Sequence, residues 1–169
     1  MSVTIRRARG DDADFLVELI SDEETRPFLG RVPEARDDVL AEIARSEQEP
    51  HAYGRFVIEV DGVRAGTVGF TLESERHRIA EVGRFAIHPR FRGRRLGDEA
   101  AHVFQRHMLV DLGFHRIELQ IYAFNERAIA HAERSGFVRE GVKRRAYFRD
   151  GEWQDAVLFS LLRDEVEEG

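Results

Sequence analysis

The chain has 169 residues, a formal net charge of −6 and no cysteine. That length suits one domain with a developed core. The missing cysteine excludes disulfides, thiolate metal sites and a cysteine nucleophile, and so acidic a molecule does not seek nucleic acid as a whole. No apolar run approaches the roughly 20 residues of a membrane span, and residues 1–5 lead into a strand pattern with no signal peptide. The expectation is a cytoplasmic protein with neither a membrane nor a nucleic-acid partner.

In chain order, residues 3–9 alternate as an edge strand. Asp11 or Asp12 is placed to cap a helix carrying Phe15, Leu16, Leu19 and Ile20 at helical spacing. After a polar break over residues 21–27, Pro33 opens a second helix through Val39, Leu40 and Ile43. Residues 53–60 and 63–72 form a hairpin about the Asp61-Gly62 turn, and residues 79–87 read as the next strand. A helix follows Gly93, with Leu96, Ala100, Val103, Phe104 and Met108 on one face and Gly113 at its end.

Residues 117–122 alternate as a strand. Asn125 caps a helix over 126–135 whose inward positions are Ala128, Ile129 and Ala132, with Gly136 as its C′ residue and Phe137 as the apolar contact after it. Residues 138–147 and 153–162 pair about Asp150-Gly151, with Trp153 a core or edge-strand aromatic, and residues 163–169 make a short acidic tail. Strand–helix–strand units in the middle imply a parallel pair, flanked by antiparallel hairpins. The fold class is a single-domain α/β arrangement with a mixed sheet.

The stretch His88-Pro89-Arg90-Phe91-Arg92-Gly93-Arg94-Arg95-Leu96-Gly97 carries the most chemistry. It joins a strand to a helix and holds four arginines and two glycines. Unpaired N–H groups at a helix start favour an anion, and guanidinium groups suit phosphate. The ligand suggested is a phosphorylated cofactor; the bland alternative is a solvated helix start. The histidines show no metal-binding spacing, so no metal is assigned.

The element order together with this loop resembles the GNAT superfamily of acetyl-CoA-dependent N-acetyltransferases. The family's cofactor loop, Gln/Arg-x-x-Gly-x-Gly/Ala, falls on Arg92-Gly93-Arg94-Arg95-Leu96-Gly97, with Arg95 at the middle glycine. Asn125-Glu126-Arg127-Ala128 and Ser135-Gly136-Phe137 match the family's Asn-x-x-Ala helix and its Gly-Phe ending. Residues 148–155 resemble a narrower group of ribosomal-protein N-terminal and spermidine acetyltransferases.

The resemblance implies a GNAT fold, mostly antiparallel, in which the parallel pair 79–87 and 117–122 splays apart to admit acetyl-CoA. It implies Phe85, Ala86 and Ile87 at the pantetheine arm, with a backbone N–H there polarising the acetyl carbonyl. Backbone amides of Arg92, Gly93, Arg94, Arg95, Leu96 and Gly97 would hold the pyrophosphate, with Asn125 and Arg127 as further cofactor contacts. Glu81 stands where a glutamate serves as catalytic base in histone-acetylating relatives; strand alternation puts it on one side with Gly83 and Phe85, and base and bystander remain open for it. The position of the usual tyrosine acid is Ala132, so either coenzyme A leaves unaided or His131 or Tyr122 substitutes.

The function implied is acetyl transfer to a primary amine: a protein N-terminus, a polyamine or another small amine. The alternative is a catalytically weak coenzyme A-binding module. Homodimerisation is common among lookalikes, and no patch in the sequence specifies it.

Overall fold

The structure is a computed structural model that describes residues 1–29 and 35–167. One seven-stranded sheet organises it: β1 (Val3–Arg7), β2 (Tyr53–Val60), β3 (Val63–Ser74), β4 (Ile79–Ile87), β5 (Arg116–Tyr122), β6 (Val138–Arg149) and β7 (Glu152–Leu162), in the order β1-β2-β3-β4-β5-β7-β6. Every neighbouring pair is antiparallel except β4 and β5. The helices are α1 (Ala13–Ser21), α2 (Arg36–Gln48), α3 (Leu96–Arg106), α4 (Glu126–Arg134) and the short α5 (Arg163–Glu167), which gives the acidic tail a helical turn. Pro33, expected to open the second helix, lies outside the described residues.

Alternating strand residues divide the core into two layers. On one face, Phe56, Val68, Phe70, Ala80 and Val82 pack with Leu96, Ala100 and Phe104 of α3 and Ala132 of α4. On the other, Val57 and Ala86 pack with Leu16, Leu19 and Ile20 of α1 and Val39 and Ile43 of α2. Helix α2 is mostly polar, yet full burial of a Leu or Val is worth about 2 kcal/mol. Val39 and Ile43 therefore suffice to dock α2 and wall one side of the sheet.

Both hairpin turns have the left-handed pairs that Asp-Gly supplies: Asp61 and Gly62 at φ 50° and 78°, Asp150 and Gly151 at 51° and 79°. Gly113 and Gly136 are also left-handed, at φ 71° and 90°.

Three local expectations are corrected. Asp12 does not cap α1 with its side chain. It is wholly buried and accepts from Arg6 Nη1 and Nη2, Arg64 Nε and the Arg9 amide at 2.7–2.9 Å. Two guanidinium groups claim it more strongly than one helix amide could. The helix after Gly93 begins only at Leu96, and at His107–Asp111 it widens into a π turn that buries Met108 and Leu109 together. Trp153 is not core: it is 60% exposed on β7 against Phe148, because edge strand β6 is covered by no further layer.

Candidate active-site cleft

Strands β4 and β5 pair only at Ile79–Arg116, Ala80–Ile117 and Glu81–Glu118. Both continue beyond that point without pairing to each other, β4 to Ile87 and β5 to Tyr122. The separation opens a cleft of about 990 Å³ that reaches the start of α3. Its volume stands at the upper end of the usual range for ligand sites.

A bulge shapes the β4 wall. Gly69 pairs with Gly83 and Thr67 with Ala86, so β4 carries an extra residue, and Arg84 takes a left-handed φ of 57°. The bulge overturns the expected alternation: Glu81 and Gly83 share a face with Ala86, while Phe85 and Ile87 turn to the α3–α4 layer. Phe85 stacks on His131 of α4 with ring centroids 5.1 Å apart. Phe85, Ala86 and Ile87 all border the cleft.

The loop before α3 closes one end. Gly93 has φ 81°, and Arg95, at the position where the family has glycine, takes the same left-handed region at φ 56°. A non-glycine residue there costs of order 1 kcal/mol. The turn is thus made without its glycine, and α3 begins at the next residue, Leu96. Gly93, Arg95, Leu96 and Gly97 line the cleft, and the Arg94 side chain is exposed. A Cβ on Gly93 would meet nothing within 4 Å, so the space beside the loop is open.

Arg92 behaves differently. Its Nε donates to the Ile87 carbonyl at 3.0 Å, Nη1 to Glu24 at 2.9 Å and Nη2 to the Thr25 hydroxyl at 2.6 Å. Its side chain fastens the segment after α1 to the end of β4, so the acidic run at residues 22–24 is tied down by a partner the sequence did not disclose.

On the opposite wall, buried Asn125 caps α4, its Oδ1 accepting from the Ala128 amide at 3.1 Å. Arg127 is exposed at the rim. His131 Nε2 is 3.2 Å from Asp98 Oδ1. Burial lowers the imidazole pKa, outweighing the Asp98 charge, and the ring sits beside Gly97 at the mouth of α3.

Glu81 stands where the strands part. Burial raises its carboxyl pKa, and the charge of nearby Glu73 adds to this; Lys143 and Gln120 restrain the rise. Gln120 Nε2 donates to Glu81 Oε2 at 3.2 Å, and Gln120 Oε1 accepts from the Tyr147 hydroxyl. Burial and the Glu81 charge push the Tyr147 pKa up, so its hydroxyl keeps its proton at neutral pH. Sequence reading missed Gln120 and Tyr147; alternation on β5 puts Gln120 on the Glu81 face, whereas register shifts on β6 before Tyr147 hid that residue. Tyr122 is buried, stacked on Phe124 with Arg149 over its ring. Ala132 is buried against the α3–α4 core and borders the cleft.

A sheet parted at its parallel pair, with a strand-to-helix loop at the end of the first parted strand, has the architecture of an acetyltransferase fold. The acetyltransferase (GNAT) domain family matches residues 2–138, and the chain belongs to it. Spermidine N(1)-acetyltransferase of Escherichia coli K12 is 24% identical over 162 residues, covering 96% of this chain and 87% of that protein. YdaF of Bacillus subtilis, provisionally named a ribosomal N-acetyltransferase, is 27% identical over 172 residues, covering 98% and 93%. Among solved structures, spermidine N-acetyltransferase from Vibrio cholerae in complex with CoA and spermine superposes with a TM-score of 0.86 at 24% identity over 98% of each chain. At that identity the likeness speaks for the fold.

Proposed function

We propose that the chain is an acetyl-CoA-dependent N-acetyltransferase acting on a primary amine in a ternary complex. The observation that carries this reading is the parting of β4 from β5 after Glu81, which opens a cleft leading to the amides of α3. The relatives named for spermidine and ribosomal acetylation support amine transfer and leave both acceptor types open.

Acetyl-CoA supplies the acetyl thioester. The loop from Arg92 to Gly97 and the α3 amides hold its pyrophosphate, Asn125 and Arg127 bound it from α4, and the free edge of β4 at Phe85, Ala86 and Ile87 orients its arm. A backbone N–H on that edge stabilises the oxyanion as the amine attacks. Glu81 accepts the amine's proton, directly or through water; a raised pKa makes it a better base near neutral pH than a solvated glutamate. No covalent enzyme intermediate is required.

Ala132 supports a second reading, a coenzyme A-binding module with little turnover, because the family's usual acid is missing there. His131 is tied to Asp98 at the phosphate end, so the unassisted departure of a thiolate, whose ordinary pKa is about 8.5, is the simpler course. An acceptor-amine screen with acetyl-CoA, read by thiol release, decides between the two. Turnover on any amine supports the transferase; coenzyme A binding with no turnover supports the module.

A further inference from the structure

Beside the β4 wall of the cleft lies a buried ion cluster that the reaction as described does not use. Arg84, at the β4 bulge, reaches across β3: its Nη1 donates to the Tyr53 hydroxyl at 2.7 Å and sits 2.5 Å from Glu42 Oε2 on α2. Arg55 of β2 lies on the other side of the same carboxylate, its Nε 3.4 Å from Glu42 Oε2. Neither the Arg55 guanidinium nor Glu42 Oε2 makes a hydrogen bond of proper geometry among the described residues, so the two meet as an ion pair. Arg55 is wholly buried, and all three of its guanidinium nitrogens lack a hydrogen-bond partner among the described residues. Burial, followed by the charge of Arg84, lowers its pKa to about 10, which leaves it cationic at neutral pH. Two cations thus face one anion, and the cluster keeps a net positive charge.

Glycines leave room beside it. Arg55, Gly69 and Gly83 are register partners across β2, β3 and β4. A Cβ on Gly69 would come within 2.6 Å of the Gly54 carbonyl, whereas a Cβ on Gly83 would meet nothing within 4 Å. The space over Gly83 is therefore open, and Glu81, Arg84 and Tyr53 line the same cleft. Among the described residues lining the cleft, only Glu24, Glu81 and Asp98 are acidic. Glu24 is engaged by Arg92, and Asp98 by Arg134 and His131 at the α3 mouth. Glu73 lies beside Glu81, so the free acidic charge gathers at that end, while the Arg84 end, with two cations to the one Glu42 carboxylate, is furnished for an anion.

We propose that Arg84, backed by Arg55, is a specificity residue, and that the acceptor is a primary amine bearing a carboxylate, whose anionic end seats over Gly83 against Arg84 and Tyr53 while its amine faces Glu81. This rests on the transferase reading above. Two residues of strand separate Glu81 from Gly83, about 6–7 Å. That span matches an N-terminal amine and the side-chain carboxylate of an acidic second residue, or a short free ω-amino acid.

The test measures kcat/KM for a peptide beginning Ser-Asp, its Ser-Ala and Ser-Lys counterparts, 5-aminopentanoate and spermidine, with wild type, Arg84→Gln, Arg84→Lys and Glu42→Gln. Melting curves and coenzyme A titration confirm folding of each variant. The expected result is a preference of tenfold or more for the carboxylate-bearing amines over the Ser-Lys peptide and spermidine. Arg84→Gln should collapse it toward unity, Arg84→Lys should restore part of it, and Glu42→Gln, which frees Arg84 of its counterion, should increase it. The ratio within each variant cancels any general loss of activity, so a merely structural Arg84 would leave it unmoved. Peptide against free amino acid tells the two sources apart. Spermidine or the Ser-Lys peptide as best substrate, or a ratio unaffected by Arg84→Gln, overturns the inference while leaving the transferase reading intact. No turnover on any amine overturns both.

Discussion

Gln120 donates to Glu81 across the point where β4 and β5 separate, at 3.2 Å, and so fixes the carboxyl at the mouth of the cleft. Because burial and then Glu73 raise the Glu81 pKa, the acid limb of kcat/KM should fall above the ordinary glutamate range near pH 4.3. Glu81→Gln should lower turnover about 100-fold and flatten that limb. A pH–rate profile of both proteins checks this, and an unchanged profile removes Glu81 from the role of base.

The same shift has a consequence for stability. A carboxyl whose pKa is higher folded than unfolded binds its proton more tightly in the folded state. Its contribution is present at low pH and is lost as pH rises through the folded value. Glu81→Gln should therefore melt higher than wild type at pH 7–8, with the gap closing on acidification. Thermal melts across pH give the sign directly.

Asp12 has the opposite sense. Burial alone would raise its pKa, but hydrogen bonds from Arg6, the Arg9 amide and Arg64 outweigh that and hold it well below the usual carboxylate range. Its stabilisation is complete above the unfolded pKa and disappears as pH falls through the folded one. Removing one side of a buried ion pair costs about 3–5 kcal/mol. Asp12→Asn should then lower the melting temperature by about 10 °C. A change under about 2 °C would show that the contacts of this carboxylate with Arg6, Arg64 and the Arg9 amide count for little.

The loop arginines should separate by role. Arg92→Ala should raise the acceptor KM several-fold more than the coenzyme A Kd, since the Arg92 side chain is taken up by Glu24 and Thr25. Arg94→Glu should do the reverse. Steady-state kinetics beside a calorimetric Kd for each variant distinguishes them, and equal effects on both quantities would contradict the division.

Arg95→Gly should relieve the left-handed strain at φ 56°, so the melting temperature should hold or rise by a degree or two despite the lost side chain. Coenzyme A affinity should drop only about two- to fivefold. A large fall in melting temperature would mean that the Arg95 side chain, rather than the backbone it occupies, supports the loop.

Much of this architecture was legible in residue order. The two Asp-Gly turns, Asn125 as a cap, Gly136 before Phe137 and the helix face from Leu96 to Met108 are set by local backbone chemistry, which acts within a few positions. The parted parallel pair was legible only through the resemblance. The bulge at Arg84 was not visible, because alternation assumes one residue per rung, and one extra residue sent Phe85 to the other face. Contacts joining Arg92 to Glu24, Arg84 to Glu42 and Asp12 to Arg64 span tens of residues and depend on how the helices dock. In so charged a chain, pattern alone cannot choose which opposite charges meet.

Isothermal titration of the folded protein with coenzyme A is the sharpest test of the cofactor cleft. Saturable heat is expected for one site per chain at micromolar Kd, displaced by acetyl-CoA and weakened about tenfold or more in the double variant Arg94→Glu, Arg95→Glu. No heat, no displacement and an unshifted melting curve in the presence of coenzyme A would contradict it.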